Sequence, residues 1–144
     1  MAHYSFSQVK GGKYVLSIEN HQELVSTIKD FCVQKGILAG EIHGIGAVNS
    51  ATLRFLDPAT FKYVDKTFTE QMEITNLIGN ISSLDGEVYL HLHITLGRRD
   101  YTTLGGHLLC ATLNGACELV VESWPEAKLP RKFDEKTGLN LYDI

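Results

Sequence analysis

Apolar residues gather in short strand-like runs through most of this chain, alternating most clearly over 88–96, and fall at helical spacing in a single early segment. The runs predict strands over residues 4–9 and 14–18, with Lys10-Gly11-Gly12-Lys13 turning between them, and hence an opening hairpin. In the next segment Leu24, Ile28, Phe31 and Cys32 share one helical face. Asn20 stands where an N-cap accepts from the amides ahead, Glu23 stands where its capping-box partner would, and Gly36 supplies a left-handed stop. Together they predict an amphipathic helix over residues 21–35, with His21 in its first turn. From Gly36 onward the pattern is strand: an apolar, glycine-punctuated run over 37–48, then 51–56 ended by the Asp57-Pro58-Ala59-Thr60 turn. A more exposed strand over 62–69 follows, then 72–82, 88–96 after a turn at 84–87, and a closing run over 116–122. One principal helix and about eight strands predict the α+β class with a mostly antiparallel sheet.

The strand over 88–96 carries the most informative polar positions. Side chains alternate between the faces of a strand, so His91 and His93 project with Tyr89 and Thr95, while Val88, Leu90, Leu92, Ile94 and Leu96 project from the opposite face. The apolar face packs, and the histidine face is left for chemistry or for solvent. His107 follows after Gly105-Gly106, a pair that permits close backbone approach or an unusual backbone angle. The thirteen residues between His93 and His107 are enough to bring the third imidazole back onto a neighbouring strand. Three imidazoles with one open position is the arrangement of a catalytic zinc or similar divalent transition metal. The alternative is a solvated sheet face.

Composition narrows the classes. The 144 residues, 44% of them hydrophobic, suit one core and one domain. We expect residues 1–123 to form its body and 124–144, which lack a clear period and hold two of the three prolines, to form an extension. Trp124, Phe133, Leu139 and Tyr142 are its candidate anchors, on the body or on a neighbouring subunit. No apolar run approaches a membrane span, so a soluble, cytoplasmic protein is expected. Cys32, Cys110 and Cys117 are odd in number and include no C-x-x-C pair, which argues against disulfides and against a thiolate zinc site. The net charge of -4 disfavours polyanions unless a local basic patch exists.

Other residues are candidates by chemistry. Glu73, Glu118 and Glu122 are the carboxylates available as general base or ligand orienter, Glu73 being the first choice. Arg54, between Leu53 and Phe55, is placed to hold an anionic group from a pocket, or else faces solvent. Arg98 and Arg99 form a lip for an anionic ligand or a solvated loop, and His43, among glycines, is a candidate further ligand or proton shuttle, or else a histidine with no role in the site. Gly44-Ile45-Gly46 lacks the third glycine and the following helix of a dinucleotide fingerprint. His3 and His21 are assigned no role.

The order of Gly44-Ile45-Gly46-Ala47-Val48, Ala51-Thr52-Leu53-Arg54-Phe55, Met72-Glu73-Ile74, Leu77-Ile78-Gly79-Asn80-Ile81, Asp85-Gly86, Leu90-His91-Leu92-His93 and Gly105-Gly106-His107-Leu108 closely resembles the PPC domain, conserved in plants and prokaryotes. The resemblance covers about residues 4–123. It implies an α+β fold assembling into homotrimers. It also implies a free-standing prokaryotic type often labelled DNA-binding; the plant members carry an AT-hook, whose Arg-Gly-Arg-Pro core is absent here. The fold is also similar to that of acetolactate decarboxylase, where a strand H-x-H and a later histidine hold zinc, and His91, His93 and His107 match that order. The expectation is a three-histidine metal site, most simply for Zn, in a pocket for a small anionic carbonyl or carboxylate compound, with lyase- or hydrolase-like chemistry if the protein is an enzyme. The alternative function is a DNA-binding regulatory module with an incidental metal.

Overall fold

The structure, a computed structural model, describes residues 3–144. Its first hairpin is β1 (Tyr4–Gln8) against β2 (Lys13–Ile18), paired antiparallel as the glycine turn requires. The helix α1 (Leu24–Lys35) buries Leu24, Ile28, Phe31 and Cys32, the face that the spacing predicts. Phe31 sits in an aromatic cluster, its ring centroid 5.5 Å from Tyr4, 5.6 Å from Phe6 and 5.4 Å from Tyr14. Gly36 closes the helix at φ 65°.

The N-terminal cap differs from the expectation. Glu23 itself is the cap, accepting from the backbone N–H of Val25 at 3.0 Å and of Ser26 at 2.6 Å. The same carboxylate accepts from the Ala111 N–H at 3.1 Å, tying the helix to the sheet. Asn20 instead accepts from the N–H groups of His21 and Gly115, and His21, at φ 65°, lies outside the helix. A local capping pattern does not record that a distant strand competes for Asn20.

Seven further strands complete the sheet picture. They are β3 (Gly40–Asp57), β4 (Lys62–Phe68), β5 (Met72–Leu84), β6 (Glu87–Gly97), β7 (Thr103–Ser123), β8 (Pro130–Asp134) and β9 (Leu139–Tyr142), which with the opening hairpin make nine strands and one helix among the described residues. The strand β3 is continuous where two were predicted. Its ladder to β7 passes through Val48, Ser50 and Ala51 by register shifts and not by a turn, so Asn49-Ser50 bends the strand without ending it. The strand β7 likewise starts at Thr103, well before residue 116, and so places His107 inside a strand.

All pairings are antiparallel except β5 with β8. β3 pairs with β5 and β7, and β6 pairs with the same two, so these four strands close on one another around the core. Leu77, Ile81, Leu92, Leu96, Leu113 and Val121 fill it together with the helix face. Closure leaves a second, outward face on the same strands, and the histidines stand there.

Candidate metal centre

Register brings the three imidazoles together. His93 pairs with His107 across β6 and β7, while His107 is also level with Arg54 on β3, and Arg54 with Asp65 on β4. One row across the sheet therefore carries His93, His107, Arg54 and Asp65 on one face. His91 follows from the alternation of β6 and faces Asn80 on β5. Gly105 is where the backbones approach: a Cβ there would lie 2.7 Å from the carbonyl oxygen of Ile94. Gly106 has room around it and lines the pocket.

One ring nitrogen from each of His91, His93 and His107 lies within 4.8 Å of the others. The Nε2 atoms of His91 and His93 are 3.2 Å apart. Nitrogens held at 2.0–2.1 Å on a tetrahedral ion are about 3.3 Å apart, so this pair already has ligand spacing. Burial, then His93 and Arg131, hold His91 below the ordinary imidazole value. Burial, then His91, His93 and Arg54, push His107 down to about 4, with Asp65 opposing. Both directions favour the neutral imidazole that a metal needs.

The cluster opens on a cavity of about 380 Å³ whose walls include Phe55, Leu56, Tyr63, Tyr89, Leu139 and Leu141. Arg54 lines it, donating from Nε and Nη2 to the two carboxylate oxygens of Asp65, each at 2.8 Å, and lying 4.5 Å from the Tyr63 ring centroid. Those hydrogen bonds hold Asp65 below the usual carboxylate range.

The remaining candidates stand elsewhere. Glu73 is level with Gly97, four residues beyond His93 along β6, roughly 13 Å at strand rise; it lines a separate cavity with Arg98 and Arg99. Arg98 is held there by Glu70 at 2.8 Å. His43 shares the outer face, but Ile78 stands between it and His93, two strands or roughly 10 Å away. Glu118 lines the cavity that contains His43, and Glu122 pairs with Lys13 at 3.0 Å. The carboxylates and the Arg98-Arg99 pair are thus kept from the imidazoles by register, a quantity that composition and spacing do not carry.

Residues that sequence reasoning passed over complete the site. The segment after 124 forms the β8–β9 hairpin and brings Arg131 and Asn140 to the cavity wall. Arg131 donates to Ser82 Oγ and Asn80 Oδ1 on β5. A signal existed on the β5 side, since Asn80 and Ser82 alternate with the buried Ile81, but the partner lies about fifty residues downstream.

The sequence profile of the Plants and Prokaryotes Conserved domain matches residues 6–125. The chain belongs to that family. Its fold is shared with a presumptive DNA-binding protein of Bacteroides thetaiotaomicron, 55% identical over 98% of this chain and 97% of that one, with a TM-score of 0.94. A metal-containing protein of Archaeoglobus fulgidus is 37% identical over 99% of each chain, with a TM-score of 0.86. A Staphylococcus aureus protein similar to acetolactate decarboxylase matches in fold alone, at 9% identity and a TM-score of 0.55 over 77% of this chain and 52% of that one. No curated protein matches the chain.

Proposed function

We propose that the protein is a metal-binding PPC-domain protein in which His91, His93 and His107 hold a divalent ion, zinc first, with one coordination position open to the cavity for a small organic ligand. The observation that carries this is the convergence of three ring nitrogens with no cysteine or carboxylate joining them among the described residues. A structural zinc site is closed by a fourth side chain, whereas a site that binds exogenous oxygen keeps a position free. The metal-containing relative from Archaeoglobus fulgidus supports the metal.

When bound, the ion supplies Lewis acidity toward a carbonyl or carboxylate oxygen. The chain's own part is to orient and to exclude water: Arg54, fixed by Asp65 and Tyr63, presents its remaining N–H groups at the cavity wall, and Phe55 and Leu56 keep that wall apolar. No carboxylate lines this cavity among the described residues, so an enzymatic role would be a polarising one, with any general base supplied by the ligand or by solvent. The homotrimer is proposed with it, supported by the open, apolar concavity of about 760 Å³ lined by Phe6, Val15, Ile45 and Val120. The three free cysteines suit the cytoplasm, and no helix among the described residues is long and apolar enough to cross a membrane.

Elemental analysis of the purified protein, followed by titration with citrate or acetate before and after chelation, tests the reading. One metal per chain and carboxylate binding that weakens when the metal is removed are expected. A protein that carries no metal and takes up no Zn from solution overturns it.

A further inference from the structure

Arg131 is 8% exposed, the single charged side chain buried to that degree among the described residues. Its Nε donates to Ser82 Oγ at 2.6 Å, Nη1 to the Asn140 carbonyl at 2.8 Å and Nη2 to Asn80 Oδ1 at 2.8 Å. Tyr142 and Tyr89 flank the guanidinium, their ring centroids 4.2 Å and 5.0 Å from its central carbon. Every one of these partners is neutral, and none of the ion pairs among the described residues includes Arg131.

A buried cation is costly to hold without a counter-charge. A guanidinium has five N–H donors, three are engaged here, and one remains on each of Nη1 and Nη2, the number that a carboxylate accepts. The other arginine of the cavity already has its carboxylate in Asp65. The histidines bring no negative charge, and a divalent ion on them would deepen the imbalance. Position gives the geometry: Asn80 is level with His91, and Tyr89 is the next same-face residue along β6. The guanidinium they hold is thus about one same-face step, ~7 Å, from the imidazole cluster. The cavity's remaining surface, Phe55, Leu56, Leu139 and Leu141, favours a carbon body over a fully hydrated ion.

We propose that this cavity takes a small organic carboxylate, its anionic group accepting hydrogen bonds from the two spare N–H groups of Arg131 and its apolar body lying against the β8–β9 hairpin. Ligand binding then stabilises that hairpin, since Arg131 links it to β5 through Ser82 and Asn80. The proposal rests on the metal reading only for the ligand's second contact, so the two can fail separately.

The test uses the full-length protein, with benzoate as probe and benzamide, acetate and inorganic phosphate as comparisons. Metal content and calorimetric Kd are measured for the wild type and for Arg131→Gln. The expected result is equal metal content, benzoate binding at least 10-fold weaker in Arg131→Gln, and benzamide weak in both. Equal benzoate affinity in the two proteins overturns the proposal, as does benzamide binding as tightly as benzoate. Phosphate binding as tightly as benzoate overturns the organic part and leaves an inorganic oxyanion site. If the wild type holds no metal, the metal reading falls, and the same comparison on metal-free protein still decides the role of Arg131. Should Arg131→Gln not fold, hydrogen exchange of the wild type decides: benzoate must slow the amides of Leu139–Tyr142, and unchanged exchange there refutes the anchor.

Discussion

Replacing His93 with Ala separates metal binding from folding more cleanly than any other change in the cluster. His93 is exposed on the outer face, so its truncation opens no cavity, and a surface substitution of that kind changes stability by about 0.5 kcal/mol or less. For a chain of this size ~1 kcal/mol corresponds to roughly 4 °C, so the metal-free variant should melt within about 2 °C of the metal-free wild type. Metal changes the comparison. An ion present at a thousand times its Kd stabilises the folded state by ~4 kcal/mol, on the order of 15 °C here. The two Nε2 atoms of His91 and His93 are already 3.2 Å apart, so the wild type binds without rearranging its sheet and its far-UV spectrum should not change. The variant keeps two ligands, one of them on another strand, and should lose most of the shift. Differential scanning calorimetry with and without Zn, together with elemental analysis, measures both effects. Stoichiometric metal in the double variant His91→Ala, His93→Ala, or an undiminished shift in His93→Ala, would refute the three-histidine site.

Glu23→Ala removes a helix cap and leaves the Ala111 N–H without its partner, which together should destabilise by about 2–4 kcal/mol; a chemical melt with a midpoint unchanged from wild type would remove Glu23 from that role. The metal-free protein should lose stability in acid. His107 is held down to about 4 from the ordinary 6.5, so the unfolded chain binds more protons between those values. Stability is therefore complete above pH 6.5 and falls as pH drops toward 4; urea melts at pH 7.5 and 5 with equal midpoints would contradict this. The isolated chain, at net charge -4, should bind mixed-sequence and A·T-rich duplexes weakly at ~150 mM salt. Sub-micromolar, sequence-dependent anisotropy changes would favour the DNA-associated role that the Bacteroides relative's description suggests. Light scattering should give three times 16.0 kDa, and a monomer at micromolar concentration would dismiss the trimer.

Local pattern sufficed for the helix, for most of the strands and for the face that each presents, but not for the continuity of β3, the early start of β7 or the β8–β9 hairpin. The period-2 run through His91 and His93 separates the buried Leu92, Ile94 and Leu96 from the outward imidazoles, because alternation is a property of the extended backbone itself. The helix face of Leu24, Ile28, Phe31 and Cys32 was equally legible, for the same reason at a different period. The pairing of residues far apart in the chain was not. That His107 stands level with both His93 and Arg54, that Glu73 lies four residues too far along, and that Ile78 separates His43 from the cluster all follow from registers across β3, β5, β6 and β7. A shift of one residue would turn any of these side chains to the other face. Arg131 shows the limit most plainly. In sequence it is one charged residue in a mixed-charge segment, and only the parallel docking of β8 beside Ser83 and Leu84 buries it against Ser82 and the histidine pocket. The sequence alone determined the helix, most of the strands and that three imidazoles were available. Tertiary structure decided which polar groups meet, because that depends on register between strands, and register is set by the closure of the whole sheet around its core.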